Sequence, residues 1–291
     1  KLFINASAGR YYQLPAYTTL GFRNSYGTLV NDSLGTRYIS ADQAVLGLEY
    51  LPRQKAKITL EGFYKFYRHY PFSLDDSVAL ASKGTDFGAV GDEALRSVAR
   101  GRAYGIELLL RNEDFLRFNL IMTYTFVRSE FTDISGTYIP SAWDNRHLIN
   151  VTLGRKLGRN WEVGAKWKFA GGQPYTPWDM EKSSRVTAWD IQGRGYLDYA
   201  AFNTRRLRSF NQLDIRIDKG FYFRKWSFML YLDVQNVLNF KAQQPDILVN
   251  NQEDGSVIKY TDDQGVLRYK LRTISRSAGT ILPSIGIMID L

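Results

Sequence analysis

The chain of 291 residues contains no cysteine. That excludes disulfides, thiol nucleophiles and cysteine-based metal sites. Histidine is nearly as scarce: only His69 and His147 occur. Two imidazoles are a poor basis for a zinc site, so no metal and no cofactor is expected. No run of about twenty apolar residues is present, so no membrane-spanning helix is expected. A charged segment followed by an apolar core is also missing, so no signal peptide is read. There is no nucleophile elbow, no phosphate loop and no acid–base pair of catalytic character. The stretch GRAYGIE at 101–107 places its glycines in a strand pattern with no helix after it, which is not a dinucleotide motif. Net charge is +9, from 38 Lys and Arg against 29 Asp and Glu. The basic residues are scattered rather than clustered, so a solvated surface is expected and a nucleic-acid partner is not.

What the chain has is alternation. In residues 213–218, Leu213, Ile215 and Ile217 oppose Asp214, Arg216 and Asp218. In residues 161–169, Trp161, Val163, Ala165, Trp167 and Phe169 oppose Glu162, Gly164, Lys166 and Lys168. The same period recurs at 57–67 and 226–234. A period of two is the mark of a strand with one apolar and one polar face. No stretch shows a 3.6-residue period of similar strength.

Alternation suits a soluble sandwich as well as a membrane barrel, and three features separate them. The strands read from the pattern are long, about nine to fifteen residues, where soluble strands average about five or six. A tilted membrane strand needs about nine to eleven. Ten strands are expected, at 2–11, 43–51, 57–69, 100–111, 116–129, 146–156, 161–170, 211–221, 226–238 and 279–291. Their joins alternate between short and long. The long ones span 12–42, 70–99, 130–145, 171–210 and 239–278. Outer-membrane barrels have this asymmetry, with short periplasmic turns and long external loops. It places both chain ends on the periplasmic side. Finally, PSIGIMIDL sets Ile285, Ile287, Ile289 and Leu291 on one face of a strand that runs to residue 291. The fold class expected is therefore all-β: a transmembrane antiparallel barrel.

Aromatics add a weaker sign. Tyr11, Tyr12, Tyr67, Tyr70, Trp161 and Trp226 fall near strand ends, as interfacial girdles do. Two guesses concern the loops. SVIKY and VLRYK, flanking TDDQG, read as a small hairpin at 256–270. GDEALRSV at 91–98 reads as one or two helical turns.

Segments spread over nearly the whole chain resemble one family. They are SAGRYYQLP (7–15), GIELLLR (105–111), WDNRH (143–147), GGQPYTP (171–177), LDIRIDKGF (213–221), YLDVQNVLNF (231–240) and LPSIGIMIDL (282–291). In this order and spacing they resemble the C-terminal part of a TonB-dependent outer-membrane receptor, most closely those of Bacteroidetes. The resemblance implies a barrel of about 22 strands whose lumen holds an N-terminal plug. Ten strands and no plug imply the last part of such a barrel. It also implies partners: an energy-coupling protein of the TonB type acting through the plug, the remaining strands, and outer-membrane lipid with its lipopolysaccharide. A surface lipoprotein partner belongs to the same picture. The function implied is binding and energised import of a scarce extracellular ligand, and the family's ligands include siderophores, cobalamin, glycans and peptides. The family's last residue is commonly aromatic, whereas Leu291 is aliphatic. The competing reading is a self-contained ten-stranded barrel such as an omptin-like protease, although the Asp-x-His arrangement is missing.

Candidate site residues follow from the loops. Gly171 and Gly172 allow a sharp exit from a strand, and beyond them Tyr175, Trp178 and Trp189 are placed to stack on a ligand. Arg194 and Arg205, with Arg206 and Arg208, offer positive charge to an anion. WDNRH lies where an external loop re-enters a strand. Trp143, Asp144 and Arg146 are read there as a structural junction, in preference to a metal site formed by Asp144 and His147. Asn236, inside YLDVQNVLNF, is read as capping or bending the outer end of its strand. Glu49, Glu61, Glu107, Lys166, Lys168, Asp214, Arg216 and Asp218 are expected to share the polar inner wall.

Overall fold

A computed structural model describes residues 1–83 and 91–290. Leu291 lies outside the described residues. Among the described residues, ten strands follow one another in chain order through an antiparallel sheet, and a short eleventh, Tyr138–Pro140, pairs with the end of the fifth. Numbering only these wall strands, they are β1 (Leu2–Gln13), β2 (Ile39–Arg53), β3 (Ala56–Ser73), β4 (Leu95–Phe115) and β5 (Phe118–Thr132). They continue as β6 (Arg146–Leu157), β7 (Trp161–Ala170), β8 (Phe210–Tyr222), β9 (Ser227–Gln235) and β10 (Leu282–Asp290). Every strand expected from alternation is present, most of them longer than the sequence pattern indicates. β4 reaches 21 residues.

The register assigns the two faces. Residues directly opposite one another on paired strands share a face. One row runs Ile4, Leu48, Leu60, Leu108, Tyr124, Ile149, Phe169 across seven strands. Further along the sheet, Val163, Ile217, Leu232 and Ile285 form another. The opposite face carries Glu49, Thr59, Leu109, Thr123, Asn150, Lys168 and Gln212 in one row. Glu61 and Glu107 pair on that polar face, as do Lys166 with Asp214 and Arg216 with Asp233. A slip of one residue anywhere would send charge into the apolar rows, so the pattern holds the register.

The apolar rows are bare. Ile4 is 68% exposed, Leu46 60% and Ile285 77%. A continuous apolar face of this extent is not tolerated in water and calls for lipid. No helix is long and apolar enough to cross a membrane. Strands meet the same need, since sheet pairing satisfies the backbone within hydrocarbon.

Above the apolar rows, the same face turns abruptly charged. Arg10 meets Asp42 at 2.5 Å and Arg68 meets it at 2.7 Å. Two strands on, Glu130 receives Arg102 at 2.7 Å and Arg128 at 2.5 Å. This belt marks the upper limit of the apolar band. Strands β3, β4 and β5 continue past it, because the band needs only about ten residues of each.

The connections divide by length as expected. The short turns occupy 54–55, 116–117, 158–160 and 223–226, at one end of the sheet. Leu116 and Arg117 both have positive φ, 53° and 68°, the signature of a two-residue turn matched to strand twist. Aromatics crowd this end: Phe223 stacks on Trp226 with centroids 4.5 Å apart, and Phe221 on Phe228 at the same distance. The long connections gather at the other end.

Those connections are folded. They hold helices at Tyr17–Gly21, Val30–Ser33, Leu80–Lys83, Met180–Ser184 and Val186–Gln192. Small hairpins form between Ala242–Val249 and Arg272–Ala278, and between Lys259–Thr261 and Leu267–Tyr269. The second is the hairpin expected around TDDQG. Two expectations are corrected. Residues 95–98 are not helical; they open β4, where Leu95 and Ser97 are buried and Arg96 and Val98 exposed in strict alternation. Tyr67 and Tyr70 do not sit in an exposed girdle. They pack on Phe131, at 5.6 and 4.6 Å between centroids, beside Phe72, Ala79 and Ala99.

Candidate functional site

Four of the five long connections converge on one cavity of about 560 Å³. Lys83 reaches it from the connection between β3 and β4, and Ala142 from that between β5 and β6. The connection between β7 and β8 supplies Tyr175, Thr176, Trp178, Tyr199 and Phe202. The last connection supplies Pro245, Asp246 and Thr273.

The cavity exists because a few polar side chains tie these connections together. Asn203 is buried, with φ of 53°. Its amide donates to the carbonyl of Ser82 at 2.7 Å and to that of Pro140 at 2.9 Å. Its backbone N–H donates to Thr176 Oγ1 at 3.1 Å. One residue thus joins three connections. Trp178 ties in the fourth: its Nε1–H donates to the carbonyl of Asp246 at 3.0 Å.

Below the cavity, Asp144 is fully buried. Its carboxylate accepts from Arg128 Nε at 3.0 Å, from the N–H of Ser129 at 2.8 Å and from Arg206. Arg146 stands 3.8 Å away. Arg206 also donates to the carbonyls of Asp144, 2.6 Å, and Gly172, 2.9 Å. Gly172 is required here, since a Cβ on it would lie 1.8 Å from the carbonyl oxygen of Leu207. Arg205 and Arg206 pair with Tyr175 and Pro174, so the chain leaves β7 and returns to β8 as a narrow ladder.

Behind the cavity is a packed layer. Val186, Trp189, Leu248 and Tyr269 are buried together. Arg268 spans that layer. It donates to Asp262 at 2.5 Å, to Glu181 Oε1 at 3.0 Å, to the carbonyl of Glu181 at 2.8 Å and to Ser184 Oγ at 2.7 Å. Asp262 and Glu181 are both held below the ordinary carboxylate range. For Asp262 the main cause is the hydrogen bond from Arg268; for Glu181 it is that from Arg185, then Arg268.

The charges around the cavity are mostly consumed in pairs. Lys83 is held by Glu93 at 2.7 Å and by Asp76. Burial raises the Tyr199 phenol well above its usual range, reinforced by the charge of Asp76 and a hydrogen bond to it. Asp246 is different. Its Oδ1 is packed away from solvent and takes no hydrogen bond from any described residue.

The structure sorts the residues expected from the sequence. It brings Tyr175 and Trp178 to the cavity. Trp189 is spent in the packed layer. Arg194 and Arg205 are exposed and do not line the cavity. Trp143 is exposed at 61% and lines a separate cleft with Tyr11, Tyr67 and Phe131. Asp144 and His147 do not converge on a metal: the first is taken by arginines, and His147 Nδ1 lies 3.0 Å from the Tyr124 hydroxyl. No group of three or more metal-ligating side chains occurs among the described residues. Asn236, with φ of 53°, ends β9. Its N–H donates to Asp214 Oδ1 at 2.9 Å, and its amide exchanges bonds with the backbone of Phe240 at 2.8 and 2.9 Å. Sequence reading misses Lys83, Tyr199, Phe202, Asn203 and Asp246. The only signal available for them is their place in long connections.

A chain-ordered antiparallel sheet, apolar on one face, polar on the other and loaded with long connections at one end, is the wall of an outer-membrane β-barrel. The family model for the TonB dependent receptor-like β-barrel matches residues 2–237, and the chain belongs to that family. Solved structures agree on the fold. The unliganded ferric citrate transporter FecA superposes with a TM-score of 0.60 at 13% identity, over 99% of this chain and 36% of that one. The outer membrane transporter YddB from Escherichia coli gives 0.56 at 11% identity, over 99% and 38%. The ferripyoverdine receptor of Pseudomonas aeruginosa gives 0.55 at 13% identity, over 83% and 28%. The chain thus spans little more than a third of these receptors at most. No curated protein matches the sequence.

Proposed function

We propose that this chain forms part of the wall and the outer surface of a receptor that captures a scarce extracellular ligand and imports it with energy from the inner membrane. The cavity under Trp178 carries this reading, because four independent connections are hydrogen-bonded into one concave, aromatic-lined surface at one end of the barrel wall. Such a surface is the expected form of a binding site. The remaining strands and a plug complete the lumen. An energy-coupling protein acts through that plug, and the outer leaflet with its lipopolysaccharide surrounds the belt of Arg10, Asp42, Arg102 and Glu130. The long connections face outward, and both chain ends face the periplasm. Wall residues position loops and do no covalent chemistry. No observation favours a protease, since Asp76 is paired with Lys83 and His147 with Tyr124.

The test uses cells that express the complete receptor in defined media. Compounds depleted from the medium are compared with and without a protonophore, and with Trp178→Ala. Depletion that needs both an energised membrane and Trp178 is expected. Depletion indifferent to the protonophore would show a passive pore and defeat the proposal.

A further inference from the structure

We infer that the cavity is built for an organic cation, an amine or guanidinium group carried on a small ligand or a peptide side chain, rather than for an anionic metal complex. This rests on the reading of the cavity as the ligand site. The arginines that the sequence offers to an anion are spent or turned away. Arg206 is committed to Asp144 and two carbonyls. Arg208 lies over the Phe240 ring, 5.4 Å from its centroid, and Arg194 and Arg205 are exposed outside the lining. The cation that does line the cavity, Lys83, is held between two carboxylates, Asp76 and Glu93. Among the described residues, no unpaired cation faces the space.

The opposite charge is available. Asp246 lines the cavity, and its carboxylate forms no ion pair with any described residue. Asp76 and Glu93, which are not lining residues themselves, outweigh the charge of Lys83 and leave Asp246 as the uncompensated charge of the lining. A carboxylate half-removed from water is costly until a cation meets it. The neighbouring surfaces suit the same guest. Trp178 is anchored beside Asp246 by its bond to that residue's backbone carbonyl, so the ring is held against the residue that carries the carboxylate. Tyr199 and Phe202 stack in parallel, 5.5 Å apart and 9° from coplanar. Aromatic faces attract cations through their quadrupole, most strongly when water is excluded. A carboxylate next to an indole, among further rings, therefore selects positive charge with a flat or compact shape.

The test is ligand-observed saturation-transfer NMR on the complete receptor in detergent, with arginine amide, maltose and citrate as probes. Arginine amide is expected to bind and citrate not. Asp246→Asn keeps the shape and removes the charge, and should weaken arginine amide about tenfold or more, as loss of a charge-assisted contact does. Binding of maltose or citrate without arginine amide would overturn the proposal. So would binding of arginine amide unchanged by Asp246→Asn, or no binding of any probe. If the cation fails in these ways while Trp178→Ala still abolishes energised depletion by cells, the site stands and only its charge preference falls. If Trp178→Ala changes neither measurement, the site itself falls.

Discussion

Trp178 and Asp246 are joined across 68 positions of sequence by one hydrogen bond, 3.0 Å from indole nitrogen to carbonyl oxygen. This contact fastens the connection between β7 and β8 to that between β9 and β10. Trp178→Phe keeps a ring and removes the donor. The carbonyl of Asp246 then loses a partner, at a cost of about 1 kcal/mol. The sheet does not depend on this bond. Faster hydrogen exchange confined to 174–180 and 242–249 is expected, with unchanged exchange in the wall strands. Unchanged exchange in both segments would show that the bond does not hold the two connections.

Asp144 makes a stronger demand. It is fully buried among Arg128, Arg206 and Arg146 and also accepts from the backbone of Ser129. Asp144→Ala leaves positive groups without their counter-charge, and such losses cost about 3–5 kcal/mol when the pair is deeply buried. These arginines reach water in part, so a cost of about 2 kcal/mol is expected. Denaturant unfolding of the complete receptor in detergent measures it. A midpoint equal to that of the native protein would show that the arginines find other partners.

How much of the fold is legible in the sequence follows from the length of each pattern. The wall was legible because a period of two over nine or more residues leaves few alternatives, and its short turns fall between such runs. The helices at 80–83 and 180–192 were not, since four to seven residues span at most two turns and show no period. The stretch 91–98 reads as helical because Glu93, Ala94 and Leu95 are good helix formers in isolation and Asp92 suits a helix N-terminus. Pairing of Leu95 with Ser73 overrides that preference. In the site, Tyr175 and Trp178 were legible as aromatics just beyond a double glycine. Lys83, Asn203 and Asp246 were not, because their role depends on contacts between distant connections. Arg194 and Arg205 lie outside the lining, and the sequence does not show this for the same reason: a list of charges does not show which face the cavity or are already paired.

Acid should loosen the layer behind the cavity first. Asp262 and Glu181 are held below the ordinary carboxylate range by Arg268 and Arg185. A carboxylate depressed in the folded state stabilises it above its unfolded value of about 4, and that contribution disappears as pH falls through the folded value. Lowering the pH from 6 to 3 should raise hydrogen exchange at 259–269, corrected for the intrinsic rate, more than in β4 or β5. Arg268→Gln should remove most of this difference by making the segment open at both pH values. Equal pH response in hairpin and wall would contradict the assignment.

Asn236 tests how the last strands are closed. Its side chain donates to the carbonyls of Phe240 and Thr280 and accepts from the N–H of Phe240, in a backbone conformation with positive φ. Asn236→Ala loses these bonds and adds strain, and should destabilise by about 2–3 kcal/mol. Asn236→Asp keeps the acceptor and loses the donors, and should fall between. Heat-dependent mobility of the complete receptor on gels, which separates folded from unfolded barrels, ranks the three. A ranking in which Asp is no better than Ala would remove the acceptor from the explanation.

The absence of cysteine makes the orientation directly testable. A single thiol introduced here is the only one among these 291 residues, and its labelling is scored as the gain over the complete receptor without it. Ser256→Cys lies in the connection between β9 and β10, and Lys55→Cys in the short turn between β2 and β3. Both positions are exposed, so a surface mutation there should change stability by no more than about 0.5 kcal/mol. A membrane-impermeant maleimide added to intact cells should label Ser256→Cys and spare Lys55→Cys. After the outer membrane is permeabilised, both should react. The reverse pattern would invert the barrel, place the aromatic cavity on the periplasmic side and leave it unable to meet an extracellular ligand.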